Sequence, residues 1–173
     1  MPNTSEHWQI PHVLDVVIRE RPARVLDVGA GFGKYGALVR EYGGVVRVDA
    51  VDAVQPELDV YDTVTVGDVR EVDWEPGLYD MALLLDVIEH VDKAEGHALL
   101  ASLARSAGLV LVATPLGFRR QENPELPYET HRSGWWPWDF SGYTVHQLSI
   151  YPGHFTRHLR LPRHWQMLAL VSK

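Results

Sequence analysis

Acidic side chains recur in this chain at one kind of place, the end of a short apolar run. Asp27 lies within Val25-Leu26-Asp27-Val28, just ahead of Gly29-Ala30-Gly31-Phe32-Gly33. Asp52 follows the run ending Ala50-Val51, Asp68 follows Val66-Gly67, and Asp86 follows Leu83-Leu84-Leu85. If these runs are neighbouring strands, the acids meet along one sheet edge, where open α/β sheets bind their ligands. The alternate glycines Gly29, Gly31 and Gly33 remove the Cβ atoms that would keep a ligand from the backbone. The helix that follows adds unpaired N–H groups at its start. A carboxylate at Asp27 opposes a diphosphate and suits a cationic amino group. Asp52 stands 19 positions after Gly33, where a carboxylate can accept both hydroxyls of a ribose. Asp49 is the rival for that role, but the period of two along a strand turns it to the opposite face.

The elements that must position these groups follow from the hydrophobic pattern. Pro11–Glu20 reads as a helix with a broad apolar face, and proline suits its first turn. Strands are expected at Arg24–Val28, Val45–Val51, Thr63–Gly67, Tyr79–Leu85 and Gly108–Ala113, with helices at Lys34–Tyr42 and Asp92–Arg105. This alternation implies an α/β fold with a parallel sheet covered by helices. Tyr79–Leu85 is almost continuously apolar, as in a central strand buried on both faces. Leu116–Ser141 is long, irregular and rich in Pro, Gly and Trp, which marks it as a lid or binding element. Tyr143–Ile150 and Trp165–Val171 are two strand candidates, and residues 151–164 between them lack the apolar face of a crossover helix. They are expected to pair antiparallel.

With Asp27 two residues before Gly29, the glycine turn resembles the first motif of the class I S-adenosylmethionine-dependent methyltransferases. The resemblance runs from about Ala23 to Lys173. It implies a Rossmann-like three-layer α/β/α sandwich with a seven-stranded sheet in the order 3-2-1-4-5-7-6, the last strand antiparallel. Residues 1–173 then form one domain, with an N-terminal helix in 1–22 and a lid-like insertion at 116–141. The implied cofactor is S-adenosyl-L-methionine, contacted by Asp27, Gly29, Gly31, Gly33, Asp52, Asp68, Val69, Asp86 and Val87. Asp68 also admits a plainer reading as a helix or turn cap.

Asp86-Val87-Ile88-Glu89-His90-Val91 resembles the Asp-Val-Leu-Glu-His-Val segment of small-molecule and quinone-pathway members. A hydroxyl acceptor needs a base, and His90, His131 and Glu89 are the candidates, in that order. The alternative for His90 is packing against the neighbouring helix. Asn123 to Trp135 resembles an Asn-Pro-Tyr-Glu-x-His-x-Ser-x-Trp segment of bacterial members, with Glu125-Leu126 as two extra residues. It makes Tyr128, His131, Trp135 and Trp138, with Trp136, candidates for a lid or an aromatic acceptor wall. The alternative is that the tryptophans staple a loop to the sheet.

Two competing functions remain open. Gly31-Phe-Gly33-Lys-Tyr-Gly36 literally satisfies the dinucleotide pattern G-x-G-x-x-G, though two residues late, which would suit a nicotinamide oxidoreductase. A catalytically silent methyltransferase-like module serving as a partner subunit is the other. Lys34, poorly placed beside a sulfonium, is expected in solvent or paired with a carboxylate.

Composition trims the acceptors. The chain has 173 residues, net charge -7 and no cysteine, which excludes thiolate metal sites and the cysteine nucleophile of cytosine C5 methylation. An acidic chain is also at a disadvantage on nucleic acid, and Arg157, Arg160 and Arg163 read as a solvated loop. The Asp/Asn-Pro-Pro-Tyr signature of amino-methylating nucleic-acid enzymes is replaced here by Asp86-Val87-Ile88-Glu89. A small-molecule acceptor is therefore expected. No metal is expected, because His154, His158 and His164 match no ligand spacing. Without a secretory signal or a long apolar run, the expected location is the cytoplasm, away from the membrane. Only 24 residues precede Val25, so a homodimer partner or the Leu116–Ser141 stretch would have to close the site.

Overall fold

The computed structural model describes residues 7–153 and 164–173. Helix α1 (Gln9–Glu20) begins two residues before Pro11, which leaves the proline in the first turn, where its missing N–H has no partner to lose. Val13, Val16 and Val17 bury one face of α1, and Arg21 ends it at φ 51 with its N–H on the Val17 carbonyl. The chain continues through β1 (Arg24–Val28), α2 (Lys34–Gly43), β2 (Arg47–Asp52), β3 (Thr63–Val66), β4 (Tyr79–Leu85), α3 (Lys93–Ser106), β5 (Ala107–Pro115), β6 (Thr144–Pro152) and β7 (Trp165–Ser172).

All seven strands form one sheet in the order β3-β2-β1-β4-β5-β7-β6. Neighbours from β3 through β5 are parallel, and β7 runs antiparallel to both β5 and β6. The order and the reversed last strand are those expected.

The period of two divides the core. Leu26, Val28, Ala82, Leu84 and Val112 face α3 through Leu99, Leu100 and Leu103. Val25, Met81, Leu83 and Leu111 face α1 and α2 through Val13, Val17 and Val39. Helix α3 does not cover its face alone, since Trp135 and Phe140 from the long loop complete that layer.

Among the boundaries that differ from expectation, those of β2 and β5 have identifiable causes. Val45 and Val46 belong to the turn before β2, where Val46 and Arg47 both donate to the Ala23 carbonyl. Strand β5 runs on to Thr114 and Pro115 because β7 pairs with the extension, Pro115 opposite Gln166. Among the described residues, no helix is long and apolar enough to cross a membrane.

Candidate active site

The carboxyl ends of β1, β4 and β5 meet at a cleft whose floor is the turn after Val28. Gly29 turns at φ 74, and a Cβ there would overlap Val87, so only glycine lets the end of β4 pack this close. Gly31 turns at φ 55, and a Cβ on it would meet nothing within 4 Å: its open side faces the cleft. Asp52 fastens the turn, one carboxylate oxygen accepting the Gly31 N–H at 2.8 Å and the other the Val54 N–H at 2.9 Å. Beneath lies Asp27, only 2% exposed, accepting the Tyr61 hydroxyl at 2.7 Å. Burial pushes the Asp27 carboxyl up to about 6, opposed by the Tyr61 hydrogen bond and the charge of Lys34.

The opposite wall starts where β4 ends. Asp86 adopts φ 55, a strained value for a residue with a side chain, and its N–H bonds the Ala113 carbonyl at 2.8 Å. One turn of 3-10 helix (Ile88–His90) follows. Glu89 is buried and accepts the Thr114 hydroxyl at 3.0 Å, while its backbone carbonyl takes the N–H groups of Arg132 and Ser133. Burial raises the Glu89 carboxyl well above the usual range, and the charge of Asp86 adds to this.

The histidines face each other, His90 and His131 ring centroids standing 4.9 Å apart at 71°. His90 Nδ1 is 3.3 Å from the Thr130 carbonyl and His131 Nδ1 is 2.7 Å from that of Arg119. A carbonyl can only accept, so each neutral ring carries its proton on Nδ1 and its lone pair on Nε2. Burial lowers both, His131 to about 4, and so favours the neutral ring in each. Lys34, Arg119, Gln121 and Gln166 also line the cleft, and Gln166 Oε1 is buried with no hydrogen-bond partner among the described residues.

The cleft thus brings together Gly29, Gly31, Asp86, Glu89, His90 and His131 from the expected set. Asp52 stands beside it, bonded to Gly31. Asp49, its rival, is taken by Arg47 at 2.9 Å and by the Tyr79 hydroxyl at 3.1 Å. Asp68 and Val69 lie outside the lining. Asp68 accepts the Arg70 backbone N–H at 2.9 Å and pairs with the Arg70 guanidinium, the turn-capping arrangement. Lys34 is not in free solvent: it is half-buried in the cleft wall, where Asp86 and Asp27 oppose the loss of its charge by burial.

The tryptophans part company. Trp135 is a correction to the expected acceptor wall. It is 0% exposed, its Nε1 donates to Ser133 Oγ at 2.9 Å and the Ile88 carbonyl at 3.2 Å, and Lys93 Nζ lies 3.7 Å from its ring centroid. Its ring packs with Phe140 into the core, so in this structure it staples the loop to the sheet and is outside the cleft lining. Trp138 is 66% exposed, stacked on Trp136, and like the exposed Tyr128 it is outside the cleft lining. His164 hydrogen-bonds Arg119 at 3.0 Å, whereas His154, His158, Arg157, Arg160 and Arg163 lie outside the described residues.

Tyr61, Arg119, Gln121 and Gln166 carried no sequence signal. Tyr61 also explains Gly36, the last glycine of the dinucleotide pattern. A Cβ at Gly36 would stand 2.5 Å from the Tyr61 ring, so that glycine serves packing.

A family model described as "Methyltransferase domain" matches residues 9–161 of the chain. No curated protein matches it in sequence. Among solved structures, the chain resembles 1,6-didemethyltoxoflavin-N1-methyltransferase of Burkholderia thailandensis, crystallised with 1,6-didemethyltoxoflavin and S-adenosylhomocysteine (TM-score 0.73, 20% identity, 95% of this chain and 77% of that one). It also resembles S-adenosylmethionine-dependent methyltransferases of Mesorhizobium loti (TM-score 0.71, 14% identity, 94% and 96%) and Archaeoglobus fulgidus (TM-score 0.66, 14% identity, 95% and 94%). At these identities the likeness is one of fold.

Proposed function

The chain belongs to the methyltransferase-domain family matched over residues 9–161, and from that premise we propose that it binds S-adenosylmethionine and methylates an oxygen or nitrogen atom of a small-molecule acceptor. One observation carries the reading: a buried carboxylate, Asp27, underlies a glycine turn that is open toward the cleft at Gly31 and held at that residue by Asp52. A diphosphate would be repelled by Asp27, whereas the ammonium of an amino-acid moiety would be drawn to it. The complex of the Burkholderia enzyme with S-adenosylhomocysteine and 1,6-didemethyltoxoflavin supports the same assignment.

On this reading Asp27 and the turn from Gly29 to Gly33 hold the amino-acid end, and Asp86 and Val87 flank the sulfur. Asp52 serves the ribose: each of its oxygens accepts one N–H, so each retains a lone pair for a hydroxyl. Asp68 and Val69 border the base, with Asp68 orienting through its Arg70 pair. When bound, S-adenosylmethionine supplies a sulfonium methyl that an acceptor lone pair displaces in line, leaving S-adenosylhomocysteine. His90 and His131 present lone pairs that can take a proton from the acceptor, and Glu89 lies beside them. Leu116–Ser141, pinned by Trp135 and Lys93, shields the acceptor from water.

Calorimetry tests this directly. S-adenosylhomocysteine is expected to bind at roughly micromolar Kd, about -8 kcal/mol, with nicotinamide dinucleotides at least ~100-fold weaker. Tight dinucleotide binding, or no binding of either, overturns the proposal.

A further inference from the structure

The acceptor side of the cleft holds more ligating chemistry than proton transfer requires. One nitrogen from each of His90 and His131 and one carboxylate oxygen of Glu89 all lie within 4.8 Å of one another. The three come from two segments, the turn after β4 and the loop after β5, fixed together where Arg132 and Ser133 donate to the Glu89 carbonyl.

Each group is also held by a hydrogen bond within the protein. The Thr130 and Arg119 carbonyls hold the Nδ1 protons of His90 and His131, and the Thr114 hydroxyl holds Glu89. A backbone carbonyl on the far nitrogen of a histidine and a hydrogen bond on a buried carboxylate are how metal ligands are aimed and made basic. A lone general base needs one such group; three converging at the cleft surface suit a cation.

We propose that Glu89, His90 and His131 bind a divalent transition-metal ion, and that the methyl acceptor is a hydroxyl-bearing molecule, such as a vicinal diol or catechol, whose oxygens occupy the ion's open positions. Two imidazoles and one carboxylate suit zinc, manganese, iron or cobalt, whereas magnesium prefers an all-oxygen set. Ligands at about 2.1 Å from one ion stand about 3–4 Å apart, so binding draws the longest pair together by about an ångström. Three protein ligands leave positions for substrate, the arrangement of a catalytic centre. Asp86 also lines the cleft and places a second carboxylate on the same wall.

The metal half of the proposal stands without any cofactor; the acceptor half rests on the methyl-transfer reading. With their lone pairs on the ion, His90 and His131 no longer serve as bases; coordination acidifies the bound hydroxyl, which releases its proton to water. Its oxygen pair forms the new bond to the methyl carbon, and the carbon–sulfur bond breaks with its pair passing to sulfur. An ether and a neutral thioether result, and the ion's charge is unchanged.

The test uses the full chain after chelator treatment, titrated with Co2+ and followed by visible absorption. One equivalent should develop ligand-field bands, displaced by Zn2+, and His90→Gln, His131→Gln and Glu89→Gln should each weaken binding at least ~tenfold. Calorimetry with S-adenosylhomocysteine on the same samples reports separately that each variant has kept its fold and its donor site. Failure of wild type to bind Co2+, or equal binding by all three variants, overturns the metal site while leaving methyl transfer standing if the homocysteine product still binds. Cobalt binding without product binding leaves the metal site standing and removes the methyl-transfer reading. Catechol should shift the cobalt bands; an unchanged spectrum overturns the hydroxyl acceptor.

Discussion

The two walls of the cleft are built by different means. The donor wall, from Asp27 to Asp52, is a continuous piece of β-α-β in which backbone geometry matters most: three glycines at positive φ, with carboxylates at two adjacent strand ends. The acceptor wall joins Glu89 and His90 to His131, about 40 positions later, through a loop with no hydrophobic period. The first is a local consequence of sequence. The second rests on tertiary contacts of the loop, among them those of Trp135 with Ile88 and Lys93.

That contrast can be broken most severely at Trp135. Its replacement by alanine should cost about 3–5 kcal/mol, as for a buried aromatic, measured by denaturant unfolding. It should also disturb the acceptor wall while the donor wall still binds product once the protein is folded. Equal loss at both walls would show that they form one unit. Next in size, His131→Ala should lower kcat about 10²–10⁴-fold, the range for a proton-accepting or metal-holding group, with product affinity within about twofold.

Asp27→Asn probes the donor wall through pH. The folded carboxyl is raised from 3.8 to about 6, so its contribution to stability is fully present below about 4 and is lost as pH rises through 6. Relative to wild type, Asp27→Asn should therefore gain about 1–3 kcal/mol of stability between pH 4 and pH 7. Wild-type affinity for the amino-acid-bearing product should rise over the same interval, and the variant's should not. A stability difference independent of pH contradicts the buried-carboxylate picture. Asp52→Ala should weaken product binding by about 1–3 kcal/mol through lost charge-assisted hydrogen bonds. Unchanged affinity with the fold intact removes Asp52 from the ribose.

How far the sequence could be read follows the same division. The period of two separates Asp52 from Asp49, and in the fold Asp49 is occupied by Arg47 and Tyr79. The missing helical face between residues 151 and 164 pointed to the antiparallel pairing of β6 with β7. Where periodicity ends, so does legibility. Nothing about Trp135 and Trp138 as residue types says that one is in the core and the other in solvent; that is decided by tertiary contacts with Lys93, Gly96 and Ile88. Tyr61 and Gln166 have no local signature because the chain brings them to the site from a loop and from the reversed strand. Asp68, at a strand end like Asp52, is engaged by an arginine two residues on, a partnership that strand pattern alone does not distinguish from a ligand contact.

The most direct measurement is a crystal structure of the chain with S-adenosylhomocysteine bound. The ribose hydroxyls should lie on Asp52, the amino group near Asp27, and the sulfur should face Glu89, His90 and His131. A ligand seated elsewhere, or a turn after Val28 closed over by its own side chains with product in excess, would contradict the assignment.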